Sequence, residues 1–158
     1  MIAVGEAPGY LGCRHTGIPF TCGATLAAKR HPLLAAISPA VRMKRIVRED
    51  SASHVWAVLR RYRRLPILWN AFPFHPHQVA SRESNRTPNA IELREGAEYL
   101  NEMISLFEPK LLIAIGRKAE ETLGRNFPRF RSLHVPHPAR GGHCAFAAQM
   151  ITILRRMK

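Results

Sequence analysis

The sequence predicts an α/β fold, a three-layer sandwich around a central, mostly parallel four-stranded sheet. Four apolar runs, each able to form a strand, alternate with segments of helical periodicity. Most of these runs end in loops rich in glycine or proline, as strands do at the ligand-binding edge of open α/β sheets. The run 110–115 is almost wholly apolar, which indicates a central strand covered on both faces. A length of 158 residues predicts a single domain over 1–158.

The N-terminal part of the chain combines a short strand with a loop suited to ligand binding. Residues 2–4 form the first predicted strand, and Gly5-Glu6-Ala7-Pro8-Gly9 follow it directly. Glycines let a backbone approach a ligand closely and prolines keep a loop stiff, so Glu6 is held beside whatever binds there. Further prolines exclude one continuous helix over residues 23–50, and we predict short helices and loops in that segment.

The middle of the chain is predicted to hold one helix and one strand. Ser51 has the hydroxyl group that a helix N-cap needs, and the helix is expected to end in the basic cluster 60–64, where positive charge suits the helix dipole. The apolar run 65–70 follows as the second strand. It ends at Asn70, ahead of a second proline-rich loop.

The C-terminal half continues the alternation. Apolar side chains recur at helical spacing over 90–107, which predicts a long amphipathic helix before the strand 110–115. Three further elements complete the pattern: a short helix to Gly124, a strand over 132–135 and a helix over 143–157. His137 lies in the loop between the last two.

The net charge indicates the class of ligand. Lys and Arg number 24 against 11 Asp and Glu, which gives a formal net charge of +13. Such an excess on a small folded chain predicts a polyanionic partner, because each neutralised phosphate releases condensed counterions. Nucleic acid is therefore the first candidate. A basic surface that only aids solubility or non-specific contact is the alternative.

The cysteines and the hydropathy pattern indicate a reducing compartment. Cys13, Cys22 and Cys144 are too few for a disulfide framework, and even with His15 they lack the four closely paired ligands of a structural zinc site. The sequence has no apolar run of about 18 residues and no signal-peptide pattern, so we expect no membrane contact. We predict a cytoplasmic, nucleoid-associated protein without a bound metal.

Glu6, Asn70 and His137 each lie at or just beyond the end of a predicted strand. Because the carboxyl ends of parallel strands share one edge of a sheet, we expect these side chains to lie close together. Each also has a purely structural alternative. Asn70 would then be a turn residue, His137 a polar group satisfied within its own turn, and Glu6 the partner of a nearby arginine.

Several motifs in this order resemble the uracil-DNA glycosylase superfamily, over nearly the whole chain. Gly5-Glu6-Ala7-Pro8-Gly9 is similar to the first motif of the thermostable bacterial and archaeal branch, and its spacing to Thr16-Gly17-Ile18-Pro19-Phe20 resembles the single-strand-selective branch. Asn70 matches the asparagine after the second strand. Asn85-Arg86-Thr87-Pro88 resembles the Asn-Arg-x-Pro stretch that follows it in the thermostable branch.

Two further segments extend the resemblance to the C-terminal half. Residues 111–116 resemble the central strand of the thermostable branch, and His137-Pro138-Ala139-Arg140 resembles the His-Pro-Ser motif of the last loop. The resemblance implies a DNA repair glycosylase that hydrolyses the N-glycosidic bond of uracil, or of a related deaminated base, flipped out of DNA. It implies DNA as the partner and no metal or organic cofactor, and we expect a monomer.

The resemblance also implies roles for single residues. Phe20 would stack under the base, and Ala7 would form part of the pocket wall. Asn70 suits uracil because its amide offers a donor for O4 and an acceptor for N3–H. His137 would donate a hydrogen bond to uracil O2 as negative charge develops there. Phe20 has the alternative of being an ordinary core residue.

Glu6 is the only acid in the first motif, and we predict that it stabilises the sugar cation and orients the attacking water. Several branches instead have Asp or Asn at the position of Ala7, and the thermostable branch has a further acid at the position of Gly12. Three interpretations follow: the protein uses Glu6 alone, it uses an acid from elsewhere such as Glu49 or Asp50, or it is a slow or inactive relative. The three cysteines do not match the four that hold an iron–sulfur cluster in the thermostable branch, and we predict no cluster.

Arginines in three loops are predicted to contact DNA. Arg140 lies in the loop that wedges into the duplex in the family, where a guanidinium group both stacks on bases and meets phosphate. Arg14 and Arg86 are predicted to contact the backbone, as are the histidines His75 and His77. The alternative for each is an ordinary solvent-facing side chain.

Two functional alternatives remain open from the sequence. Ala7 and Tyr10 reshape the pocket, which allows hypoxanthine or xanthine as the substrate base. The missing acid at Ala7 supports a non-catalytic DNA-binding relative that keeps the pocket. Family members usually have a helix before the first strand, whereas this chain starts at the strand itself, which indicates a shortened copy or a misassigned start.

Overall fold

The computed structural model describes residues 1–43 and 45–156. Its strands are β1 (Ile2–Gly5), β2 (Ile67–Asn70), β3 (Leu112–Ile115) and β4 (Ser132–Val135). Its helices are α1 (Cys13–Thr16), α2 (Gly23–Ala28), α3 (Pro32–Ile37), α4 (Asp50–Leu59), α5 (Ala90–Phe107), α6 (Arg117–Asn126) and α7 (His143–Arg155), with a 3-10 turn at Ser38–Ala40. None of the helices in these ranges is both long and apolar enough to cross a membrane.

The four strands form one sheet in the order β2-β1-β3-β4, and every neighbouring pair is parallel. The predicted α/β fold is therefore confirmed, with a sheet that is parallel throughout. All four carboxyl ends lie at the same edge. From β1 the chain continues to β2 on one side and then to β3 on the other side of β1, so the strand order reverses at β1. Ligands in open α/β sheets bind outside the carboxyl ends of the strands at such a reversal.

Alternate residues of the strands pack into two separate hydrophobic cores. On one face, Ala3, Ile113 and Val135 contact the apolar sides of α2, α3, α4 and α7. On the other face, Val4 and Leu112 contact α5 and α6. The period-2 alternation of strand side chains divides β1, β2 and β3 between the two cores, whereas the apolar residues of β4, Leu133 and Val135, both belong to the first. This arrangement of helices, sheet and helices is the predicted three-layer sandwich.

The boundaries of several elements differ from the sequence prediction. Ser51 is not the N-cap of α4: the N-cap is Glu49, and the Ser51 hydroxyl lies in the first turn, where it donates to Glu49 Oε1 at 2.8 Å. The basic cluster 60–64 lies beyond the end of α4 at Leu59. Gly5 belongs to β1 because it pairs in register with Asn70. Residue 157, the last of the predicted final helix, lies outside the described residues.

Candidate functional site

A cavity of about 680 Å³ opens at the carboxyl ends of the strands, and we call it the strand-end cavity. The chain segments after β1, β2 and β4 all contribute to its walls. The site residues predicted from the sequence that line it are Glu6, Ala7, Phe20, Asn70, Arg86, His137 and Arg140. Arg14, His75 and His77, which are also predicted to contact DNA, do not line it. Residues at the ends of separate strands therefore lie together as expected, because all the strands run in the same direction.

Gly5 allows two of these side chains to reach the floor of the cavity. A Cβ atom at Gly5 would lie 2.5 Å from Phe20 Cζ and 2.9 Å from Asn70 Oδ1, both closer than van der Waals contact allows. Phe20 itself is 9% exposed and has a positive φ of 53°, an uncommon conformation for a residue with a side chain. The aromatic ring and the amide are therefore packed directly against the last residue of β1.

Gly5→Ala is expected to destabilise the fold by roughly 1–3 kcal/mol, the usual cost of overpacking a tight site, because the Phe20 ring and the Asn70 amide must move. Urea denaturation measures the change in the free energy of unfolding. Gly124→Ala in α6 is the matched control, since a Cβ atom there meets nothing within 4 Å and alanine favours a helix. Equal stability of the two variants would contradict the close packing at Gly5.

Asn70 is held in place by a cysteine that the sequence analysis did not assign to the site. Asn70 is 4% exposed, and its Nδ2 donates to Cys13 Sγ at 3.8 Å. Burial, and then the negative charge of Glu49, raise the pKa of the Cys13 thiol to about 12. Cys13 is thus a neutral thiol that orients the amide, while the second Nδ2 hydrogen and Oδ1 of Asn70 are available to a ligand.

The geometry around His137 selects one tautomer of its imidazole. The backbone N–H of Ala139 donates to Nδ1 at 3.2 Å, so Nδ1 is an acceptor and the ring proton lies on Nε2. His137 is exposed toward the cavity, but neighbouring protein atoms still desolvate its ring; this desolvation, and then the positive charge of Arg140, lower the pKa of His137. A neutral imidazole with an Nε2–H donor is therefore the stable form at neutral pH.

Glycines on both sides fix the position of the His137 loop. Gly116, which follows β3, has a φ of +87°, and a Cβ atom there would lie 3.1 Å from His137 Cβ. A Cβ atom at Gly142 would overlap the carbonyl oxygen of His137. Both positions tolerate only a residue without a side chain, which explains why the loop can lie so close to the sheet edge.

Glu6 enters the cavity without the arginine partner that the sequence left as an alternative. Its Oε1 is buried, and within the described residues it has no hydrogen-bond partner. Its backbone is held, since the Glu6 carbonyl accepts from Phe72 N at 3.0 Å. A buried carboxylate oxygen without a donor is costly, so packing alone does not account for an acid at this position.

Glu49 supplies a second carboxylate from the segment that precedes α4. Its side chain lies over the first loop: a Cβ atom at Gly9 would be 3.0 Å from Glu49 Oε1, and a Cβ atom at Gly12 would overlap Oε2. Burial raises the pKa of Glu49; the hydrogen bond from Ser51 opposes this shift, and the charge of Asp50 adds to it. The space that a side chain at Gly12 would take is thus filled by a carboxylate from elsewhere.

The segment 75–88 forms the outer wall of the cavity and is tied to the first loop. Asn85 Oδ1 accepts from Tyr10 N at 3.0 Å. The ring of His75 lies between two carbonyl oxygens, with Nδ1 2.8 Å from that of Pro8 and Nε2 3.1 Å from that of Arg82. Arg14 also donates to the Arg82 carbonyl oxygen. Arg14 and His75, both predicted to contact DNA, thus join the two walls.

Arg86 lines the cavity with its charge already paired. Its Nη1 and Nη2 each lie 2.7 Å from a carboxylate oxygen of Glu92, and its Nε donates to the His77 carbonyl oxygen at 2.9 Å. Glu92 in turn closes the capping box of α5 with Asn89. The hydrogen bonds from Arg86 lower the pKa of Glu92. Arg140, by contrast, is exposed at the cavity mouth and has a positive φ of 53°.

The three cysteines lie in different surroundings. Cys13 faces the cavity, Cys22 Sγ is 3.1 Å from Thr25 Oγ1, and Cys144 is exposed on α7. In residues 1–43 and 45–156, no group of three or more His, Cys, Asp or Glu side chains is arranged to hold a metal ion. An iron–sulfur cluster does not fit these positions, because it requires several thiolates around one centre.

Comparison with known proteins agrees with this geometry. No curated protein sequence matches the chain. The family model for the Uracil DNA glycosylase superfamily matches residues 1–150, a span that includes every wall of the strand-end cavity. A match of this extent implies a DNA glycosylase fold and DNA as the partner. The chain belongs to the uracil-DNA glycosylase superfamily.

Proposed function

We propose that the protein hydrolyses the N-glycosidic bond of uracil in DNA, after the nucleotide has rotated out of the strand into the strand-end cavity. The observation that carries the proposal is the convergence of Phe20, Asn70 and His137, from three distant parts of the chain, on one cavity. These side chains offer what a flipped uracil requires: a flat apolar surface, a paired donor and acceptor, and a donor for the leaving group.

Recognition of the base rests on Asn70 and Phe20. The free hydrogen of Asn70 Nδ2 donates to uracil O4, and Oδ1 accepts from N3–H. Cytosine presents an amino group and an unprotonated N3 at the same positions, so both contacts would become repulsive. Support for this orientation comes from the hydrogen bond between Asn70 Nδ2 and Cys13 Sγ, which restricts rotation of the amide. The Phe20 ring, fixed against Gly5, supplies the stacking surface.

His137 stabilises the leaving group. When the bond between C1′ and N1 breaks, its electron pair stays on uracil and part of the negative charge moves to O2. The Nε2–H of neutral His137 donates to that oxygen, and the interaction strengthens as the charge grows. Support comes from the Ala139 N–H, which occupies Nδ1 and so keeps the proton on Nε2 before the substrate arrives.

Two carboxylates divide the work for which Glu6 is the first candidate from the sequence. Glu6, which lines the strand-end cavity, faces the cationic sugar that forms as the bond breaks. Glu49 accepts a proton from the water that attacks C1′, because burial raises its pKa and makes it the stronger base. The products are an abasic sugar carrying the water oxygen at C1′ and a uracil anion, which takes a proton from solvent.

The wider DNA contact is proposed to follow the basic surface around the cavity. Arg140, exposed at the mouth, contacts a phosphate or stacks on the base beside the gap. Arg14 and Arg86 position the outer wall and present their remaining N–H groups to the backbone. We propose that the protein acts as a single-domain monomer in the cytoplasm, on the DNA of the nucleoid.

The experiment that tests the proposal uses labelled oligonucleotides carrying uracil, hypoxanthine or xanthine, followed by alkali to break abasic sites. We expect strand breaks at uracil, which Asn70→Ala abolishes. Arg129→Ala, an exposed arginine away from the cavity, is the matched control and should cleave normally. Breaks only at hypoxanthine or xanthine would reassign the substrate base. Binding without breaks would identify a non-catalytic relative and refute the proposed hydrolysis.

A further inference from the structure

A second cavity, of about 430 Å³, lies among α2, α3 and α4, outside the strand-end cavity. We call it the arginine cavity, because Arg30, Arg48 and Arg60 line it from three different segments. Leu34 and Trp56, both buried, form part of its apolar wall. Its volume is within the usual range of small-molecule sites, roughly 300–1,000 Å³. The proposed reaction uses none of these residues.

The arginine cavity has a strongly positive rim. None of the described residues that line it is acidic. Arg48 Nε lies 3.8 Å from Asp50 Oδ1, and since both side chains are largely exposed this pair is weak. Among the ion pairs of residues 1–43 and 45–156, none involves Arg30 or Arg60. Guanidinium groups above an apolar wall match a phosphate attached to a sugar and a base.

A short stretch of chain separates the arginine cavity from the strand-end cavity. Arg48 lines the first, and Glu49 and Asp50, directly after it, line the second. The Val47 carbonyl oxygen accepts from Ala24 N at 3.1 Å, which fastens this stretch to the start of α2. A nucleic-acid strand that leaves the strand-end cavity over residues 47–50 therefore meets the arginine cavity next.

We propose that the arginine cavity binds a second nucleotide of the same DNA strand, through its phosphate and its sugar or base. The inference rests on the proposed function, because it takes the flipped uracil as the anchor in the strand-end cavity. Arginines pair with phosphate oxygens through two N–H groups, and the apolar wall receives the flat part of the nucleotide. A free nucleotide carries the same chemistry, and the test separates the two sources.

The test compares the double variant Arg30→Gln/Arg60→Gln with the unchanged protein. The ligands are single strands of about five and about fifteen nucleotides, within the range of single-strand sites. Each strand carries a central 2′-fluorodeoxyuridine. Its fluorine disfavours the sugar cation and so prevents cleavage, and binding is measured by fluorescence anisotropy. We expect the variant to bind the long strand more weakly and the short strand normally. The dependence of log K on log salt should become less steep by roughly 0.7, the value for one lost phosphate contact on a single strand.

The control is Arg94→Gln/Arg125→Gln, which removes the same charge from exposed positions on α5 and α6, on the other face of the sheet. An equal loss in the control, or an equal loss for short and long strands, would overturn the proposal. Calorimetry with deoxythymidine monophosphate separates a free nucleotide from the strand. If this nucleotide still binds while the long strand is bound, the proposal is also overturned. If the protein binds as expected but never excises uracil from a normal oligonucleotide, the proposed hydrolysis fails and the second nucleotide site stands.

Discussion

Replacing His137 by alanine is expected to lower the rate of uracil excision about 10²- to 10³-fold, the usual cost of losing one donor to a developing oxyanion. The loss falls on the chemical step, because the hydrogen bond to O2 strengthens only as the glycosidic bond breaks. Single-turnover cleavage of a uracil oligonucleotide measures it. Binding of the uncleavable 2′-fluoro strand should change far less.

His134→Ala is the matched control for His137. His134 lies on β4, three residues before His137, and is exposed; its Nε2 is 4.0 Å from Glu120 Oε2, and it does not line the strand-end cavity. Because the pKa of His137 is lowered, its ring stays neutral as the pH passes upward through about 6.5, the ordinary value for histidine. The excision rate should therefore not fall there. A fall, or equal rates in the two variants, would contradict a neutral donor at His137.

Glu49→Gln is expected to lower the excision rate about 10²- to 10⁴-fold, the range for loss of a general base. The same substitution is expected to stabilise the fold at pH 7. Glutamine still accepts the Ser51 hydrogen bond but cannot take a proton from water. The stability gain arises because burial disfavours the ionised Glu49 carboxylate. If Glu49 served only the structure, its replacement would instead lower the stability of the fold.

The pH dependence of that stability gain provides a second readout. The pKa of Glu49 is raised in the folded state, so the contribution of this residue to stability is fully present below the unfolded value of about 4.5 and is lost as the pH rises through the folded value. Thermal midpoints of Glu49→Gln and the unchanged protein should converge below about pH 4.5 and separate above it. Glu95→Gln, at an exposed position on α5, should show neither effect. Full activity in Glu49→Gln would assign the water to Glu6 alone.

Much of the cavity could be predicted because strand ends are visible in the sequence. Apolar runs bounded by glycine and proline located β1, β2 and β4, and a parallel sheet brings the residues after them to one edge. Glu6, Asn70 and His137 therefore line one cavity as expected. Cys13 was missed because a lone cysteine in a loop carries no periodic signal, and only its contact with Asn70 reveals its role.

The α/β class, the order of the elements and the strand-end residues could all be predicted from the amino-acid sequence, as could the family, which the comparison confirmed. Those features depend on local composition and on the alternation of apolar residues. Three features of the site are visible only in the folded chain: Glu49 covers Gly12, Arg86 is paired with Glu92, and the proton of His137 lies on Nε2. Each of these depends on the path of an irregular segment or on a single hydrogen bond, and no periodicity of the sequence encodes where such a segment runs.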